Sequence, residues 1–165
     1  MTKTKPPEES WEASFSEDKK YRYELTRSWG GNPHDLLFVM LNPSIADEVI
    51  DDPTQRRCRG FTKSLRFEGY TVVNIFAIVS TDPTILKTTI DPIGPYNDDH
   101  LRTCHRISTM TIAAWGTWGR LFNRGIIVQN TLAKIKPLMC LGQNQDRSPK
   151  HPLYLRADTK PRVLQ

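Results

Sequence analysis

At 165 residues, with 38% hydrophobic and 25% charged side chains, the chain has the length and composition of one globular domain that buries its own core, so neither disulfides nor a structural metal are needed to hold it. The three cysteines, Cys58, Cys104 and Cys140, stand far apart with no C-x-x-C pair and no histidine at ligand spacing, which points to a reduced, cytoplasmic protein without a structural metal. No stretch reaches about 18 consecutive apolar residues, so no membrane span is expected, and the net charge of +5 with a pI of about 9.2 favours a polyanionic partner.

Residues 1–18 are polar and rich in Pro, Glu and Ser, and read as a flexible N-terminal arm rather than a signal peptide. A single α/β domain is expected over 19–165. Tyr21 to Ser28 alternates apolar and polar side chains, the mark of a half-exposed strand. Gly30-Gly31-Asn32-Pro33 then turns into Leu36 to Leu41, an unbroken apolar run of the kind that forms a strand covered on both faces, and the two are expected to make an antiparallel pair.

That run stops abruptly at Asn42-Pro43-Ser44. Asp52 and Pro53 have the residue types of a helix N-cap and first position, and the helix is expected to reach about Arg66 with Cys58, Phe61 and Leu65 on its core face. After Gly69, Tyr70 to Phe76 reads as a second buried strand whose odd polar member is Asn74. Ala77 to Pro95 is a proline-rich connection with room for a short helix at Pro83 to Lys87.

Asn97 is expected to cap a helix running to about Ser108, with Asp98 and Asp99 in its first turn. Thr111 to Ala114 reads as a third buried strand ending at Trp115-Gly116, followed by a helix broken near Asn123 to Gly125 and continuing to about Lys136. Leu138 to Leu141 is the last strand, Gln143 to Lys150 a polar loop, and His151-Pro152-Leu153-Tyr154-Leu155 leads into a basic tail. Strands separated by helices imply a three-layer α/β/α sandwich around a mainly parallel sheet of four to five strands.

Neither G-x-G-x-x-G nor G-x-x-x-x-G-K-S/T occurs, nor does G-x-S-x-G, which removes dinucleotide, P-loop and serine-hydrolase readings. What remains are polar residues past the carboxyl ends of buried strands: Asn42 and Ser44, Asn74, Trp115-Gly116, and His151. In a doubly wound sheet those ends converge on one crevice. Each has a plainer alternative: an Asx-Pro turn for Asn42, a loop tie for Asn74, a surface position for His151. His34, His100 and His105 read as surface or helix-face residues. Asp47, Asp51 and Asp52 read as caps or solvated loop charges before a base or metal pair, and Arg56 and Arg57 as phosphate contacts or partners of those aspartates.

The segments YRYELTRSWG, LLFVMLNPSIAD, DDPTQRRC, VVNIFA, DPIGPYND, AAWG and HPLYL occur in an order that resembles the bacterial and phage domain-of-unknown-function 1643 family, from about Tyr21 to Asp158. More distantly, LFVMLNPS, VVN, AAWG and HPLYL resemble the motif order of the uracil-DNA glycosylase superfamily. That likeness implies a uracil-DNA-glycosylase-like fold and a cofactor-free, monofunctional DNA glycosylase that leaves an abasic site, acting as a monomer on a base flipped out of DNA.

Under it Asn42 and His151 are catalytic, the first positioning water and the second stabilising the departing base. Asn74 reads the base, with Met40 and Ser44 lining its pocket, and Arg56, Arg57, Lys150 and Arg156 hold the DNA phosphates. Met40 and Ser44 stand where the superfamily has a glycine and Tyr or Gly, and Thr54-Gln55 stands where it has a stacking phenylalanine. These departures direct the expectation away from plain uracil toward a bulkier damaged or modified base, such as a hypermodified base of phage DNA. The alternatives are a non-catalytic nucleic-acid or nucleotide-binding module of the same fold, and an enzyme of free modified-nucleotide metabolism.

Overall fold

A computed structural model of the chain describes residues 9–45 and 52–165. The centre of the fold is β3 (Leu36–Met40), all five of whose side chains are buried. Side chains alternate across a strand, so Leu37 and Val39 enter one hydrophobic cluster while Leu36, Phe38 and Met40 enter another on the opposite face. This is the double burial that the unbroken apolar run implied.

Around β3 lie β1 (Ser10–Phe15), β2 (Arg22–Ser28), β4 (Gly69–Asn74), β5 (Met110–Ala113), β6 (Met139–Cys140) and β7 (Arg162–Val163), in a seven-stranded sheet of order β1-β2-β4-β3-β5-β6-β7. The run β4-β3-β5-β6 is parallel, and β1, β2 and β7 join antiparallel at the flanks. The sheet is thus mixed and wider than four or five strands, because its flanking strands carry weak sequence signals. β1 is half exposed and held by its ladder to β2, so the arm expected over 1–18 gives way to an edge strand from Ser10. Two-residue β7 sits in what reads as a basic tail.

Helices cover both faces. α1 (Pro53–Ser64) packs Cys58 and Phe61 beneath Phe38 and Met40, while α2 (Asn97–Ile107) and α3 (Arg124–Ala133) contribute Leu101, Cys104, Val128 and Leu132 to the other cluster. Asp52 caps α1 as expected, its carboxylate accepting from the Gln55 N–H at 2.8 Å, a contact of the kind that contributes about 1 kcal/mol. The helix closes at Leu65, with Arg66 in a left-handed conformation at φ +65°, slightly short of the expected end. The segment after β5 is a 3-10 helix, Thr117–Asn123, interrupted at Leu121 and Phe122 before α3 begins, close to the expected break.

Two expectations fail for one reason, the preference for neighbours in sequence. β2 pairs with β4 rather than β3: Leu25 lies opposite Val72 and Ser28 opposite Gly69, where a Cβ would stand 2.8 Å from the Arg27 carbonyl. Asn97 does not cap α2. Tyr96 occupies the cap position, and the buried Asn97 amide donates to the carbonyls of Asn74 at 2.8 Å and Ile75 at 3.3 Å, fixing the end of β4.

Candidate active site

The parallel strands end along one edge, and the ladder continues past β3 and β4 through Ile75 N–H to the Met40 carbonyl and Phe76 N–H to the Leu41 carbonyl. Asn42 follows at once. Its Nδ2 donates to the Ser80 carbonyl at 2.9 Å and to the Pro43 carbonyl at 3.2 Å, and the Ser80 N–H donates to the same Pro43 carbonyl at 2.9 Å. The Asn42 amide is therefore fixed by its nitrogen, and its Oδ1 accepts nothing from any described residue. From beneath, Arg22 on β2, only 1% exposed, donates through Nη1 to the Ser44 carbonyl at 3.1 Å.

Asn74 ends β4 opposite Met40 in the parallel register. It is 3% exposed, and its side-chain amide has no hydrogen-bond partner among the described residues. An amide with no protein partner makes its hydrogen bonds with whatever fills the space beside it, here the cavity. An amide that lines a cavity in this state is available to a ligand.

His151 opens a short 3-10 helix, Pro152–Tyr154, where its Nδ1 accepts from the Leu153 N–H at 3.2 Å. Burial pushes its pKa below the ordinary histidine range. A ring that accepts at Nδ1 and is neutral carries its proton on Nε2, so the imidazole presents a single donor. The segment is held by Gly116 N–H to the Pro149 carbonyl at 2.9 Å and Lys150 N–H to the Gly142 carbonyl at 2.8 Å. Gly116, at φ +73°, takes a backbone conformation that a side chain would strain.

These residues meet. Met40, Asn42, Ser44, Asn74, Lys150 and His151 all line one cavity of about 830 Å³ at the carboxyl edge of the parallel strands. Size and placement match those of ligand sites in open α/β sheets.

The arginines expected beside them do not line the cavity. Arg56 is exposed on α1. Arg57 stacks over Phe61 at 5.3 Å and donates to the Pro152 carbonyl at 3.4 Å, tying α1 to the segment that carries His151. Arg156 is exposed and engages both carboxylate oxygens of Asp158 at 3.1 and 3.0 Å. Among the expected phosphate ligands only Lys150 reaches the cavity.

Sequence reasoning missed other members. Asp52 lines the cavity as well as capping α1, and so do Thr54, Gln55, Asn144, Trp118 and Tyr154. For Asp52 the signal was present, a carboxylate placed near Asn42, and was absorbed by its cap role. Asp47 and Asp51 lie outside the described residues. His105 is a correction: rather than a surface group, it is fully buried, with Nδ1 at 2.7 Å from Thr111 Oγ1 and Nε2 at 3.1 Å from the Leu132 and Lys136 carbonyls. His100 stacks on Tyr23 and meets Glu24.

All three cysteines are buried, and burial pushes the Cys104 thiol far above its usual range. No group of three metal-ligating side chains gathers among the described residues, and none of their helices is long and apolar enough to cross a membrane.

Fold and cavity together define an α/β protein with a cavity at the carboxyl ends of its parallel strands. The chain belongs to the family described as protein of unknown function (DUF1643), whose model matches residues 22–153. No curated protein and no solved structure matches the chain.

Proposed function

We propose that the cavity hydrolyses the N-glycosidic bond of a damaged or modified base in DNA, leaving an abasic site. The observation that carries this reading is the convergence of Asn42, Asn74 and His151, which are far apart in sequence, on one cavity. Breaking a glycosidic bond leaves electron deficiency on the sugar and negative charge on the base. Water must therefore be held on one side and the base anion stabilised on the other.

Asn42 suits the first task, because its Oδ1 accepts a water hydrogen while its nitrogen is locked to Ser80 and Pro43. An amide cannot take the proton away, and neither can His151, whose Nδ1 already accepts from Leu153. Asp52 lines the same cavity, and its carboxylate is the group that receives this proton as the water oxygen bonds to the sugar carbon. The electron pair of the broken bond passes to the base nitrogen, where the Nε2–H of His151 donates to the developing charge. Asn74, offering a donor and an acceptor together, reads the edge of the base.

The experiment is to incubate the protein with a panel of phage and chemically damaged DNAs and measure released bases by mass spectrometry, together with abasic sites. Release that disappears in Asn42→Ala supports the reading, and no release from any member of the panel ends it.

One observation favours a second reading. With Arg57 engaged at Pro152 and Arg156 at Asp158, Lys150 is the basic residue left lining the cavity, which suits a free modified nucleotide as much as a long phosphate track. Turnover of a mononucleotide at a rate indifferent to salt would select it.

A further inference from the structure

We infer that the strand bound at this cavity is single-stranded, its bases stacking on Trp118 and Tyr154. The inference rests on the reading of the cavity as a nucleic-acid site and adds the form of the nucleic acid. Tyr154 is 89% exposed, an unusual state for so large an aromatic side chain, yet it lines the cavity three residues past His151. Trp118, half-buried, lines the same cavity from the 3-10 helix after β5, and the Lys87 ammonium lies over its indole ring at 5.1 Å. Neither ring is needed by either core cluster, and neither belongs to one.

Exposed rings with cations beside them are the device by which proteins hold unpaired bases, since every base has a π-face while a paired base in a duplex has both faces occupied by its neighbours. Lys150 lines the cavity and Lys87 lies over the Trp118 ring, so positive charge stands beside the rings, as a strand of phosphates requires. A duplex would instead call for cations spaced along its backbone. Of the arginines expected in that task, Arg57 donates to the Pro152 carbonyl, Arg156 pairs with Asp158, and none of Arg56, Arg57 and Arg156 lines the cavity.

The test titrates the full chain with a ten-nucleotide pyrimidine strand, the same strand in duplex, and a mononucleotide, at one salt concentration, following tryptophan fluorescence. The single strand should bind at least tenfold more tightly than either rival and quench the emission. Tyr154→Ala, which removes an exposed ring and so leaves the fold intact, should weaken binding roughly 5- to 150-fold, the range that loss of one aromatic stack produces. Tyr154→Phe should restore it, and Trp118→Leu should remove the quench.

Equal or tighter binding of the duplex, or of the mononucleotide, overturns the inference, as does an unchanged affinity in Tyr154→Ala. The two readings fail separately. Base release from duplex that needs Asn42 but not Tyr154 sinks the single-strand inference alone, whereas single-strand binding through Tyr154 without release from any DNA sinks the glycosylase reading alone.

Discussion

His151 Nδ1 accepts the backbone N–H of Leu153 at 3.2 Å, so the ring is oriented by its own 3-10 helix and its proton is assigned to Nε2. Burial holds its pKa below the ordinary value of about 6.5. Nitrogen-15 NMR should therefore show the neutral ring as the Nε2–H tautomer, with a titration midpoint below that of a surface histidine. A proton on Nδ1, or a midpoint at or above 6.5, contradicts the assignment.

The same depression makes stability depend on pH. His151 and His105 are both lowered in the folded chain, chiefly by burial, so below about pH 6.5 the unfolded chain takes up protons that the fold resists. Stability from these groups is complete above that pH and declines as pH falls toward their folded pKa values. Urea midpoints at pH 7.5 and 5.5 should differ in that direction, and His105→Gln should reduce the difference.

Asn74→Leu separates stability from function. The amide lines the cavity and has no protein partner among the described residues, so an apolar side chain of similar size should change the melting temperature little. Ligand binding should fall at least tenfold. A clear drop in melting temperature would instead mark Asn74 as a structural tie.

Asp52→Asn keeps an N-cap side chain, since asparagine caps helices as well as aspartate does. Thermal stability should barely move while the rate of base release falls by roughly 10²- to 10⁴-fold, the usual contribution of a positioned proton acceptor. Asp52→Ala should lose about 1 kcal/mol of stability besides. An active Asp52→Asn protein would return that residue to a purely capping role.

Trp115 stands between two glycines. A Cβ on Gly119 would lie 2.1 Å from its Cδ1, and one on Gly125 would lie 2.6 Å from its Nε1. Either Gly→Ala change must displace an indole that is 3% exposed and lines the cavity. We expect a loss of about 1–3 kcal/mol, as in overpacked cores, with altered intrinsic fluorescence. A melting curve superimposable on that of the unaltered chain would show that the slot yields.

The parallel core was legible because double burial writes an unbroken apolar run, as in LLFVM, and its polar terminators marked the cavity. Asn42 follows from that rule, whereas Asn74 read as the odd polar member of its strand and His151 drew its role from the resemblance carried by HPLYL. The flanks were not legible: β1 is an exposed edge with no apolar stripe, and β7 has two residues. The partner of β2 is set by sheet order, which the loop 30–33 does not encode. Trp118 and Tyr154 could be found only in three dimensions, because turns such as Gly116 at φ +73° decide which way the following residues face.

The guanidinium of Arg22 reaches Ser44 from a strand outside the parallel core, and Arg22 is also the residue at which the family match begins. Domain dissection has a firm limit in consequence. A fragment trimmed to the parallel strands would retain Asn42, Asn74 and His151 yet lose the buried cation beneath the Asn42 loop, so the smallest unit able to act must keep the antiparallel flank.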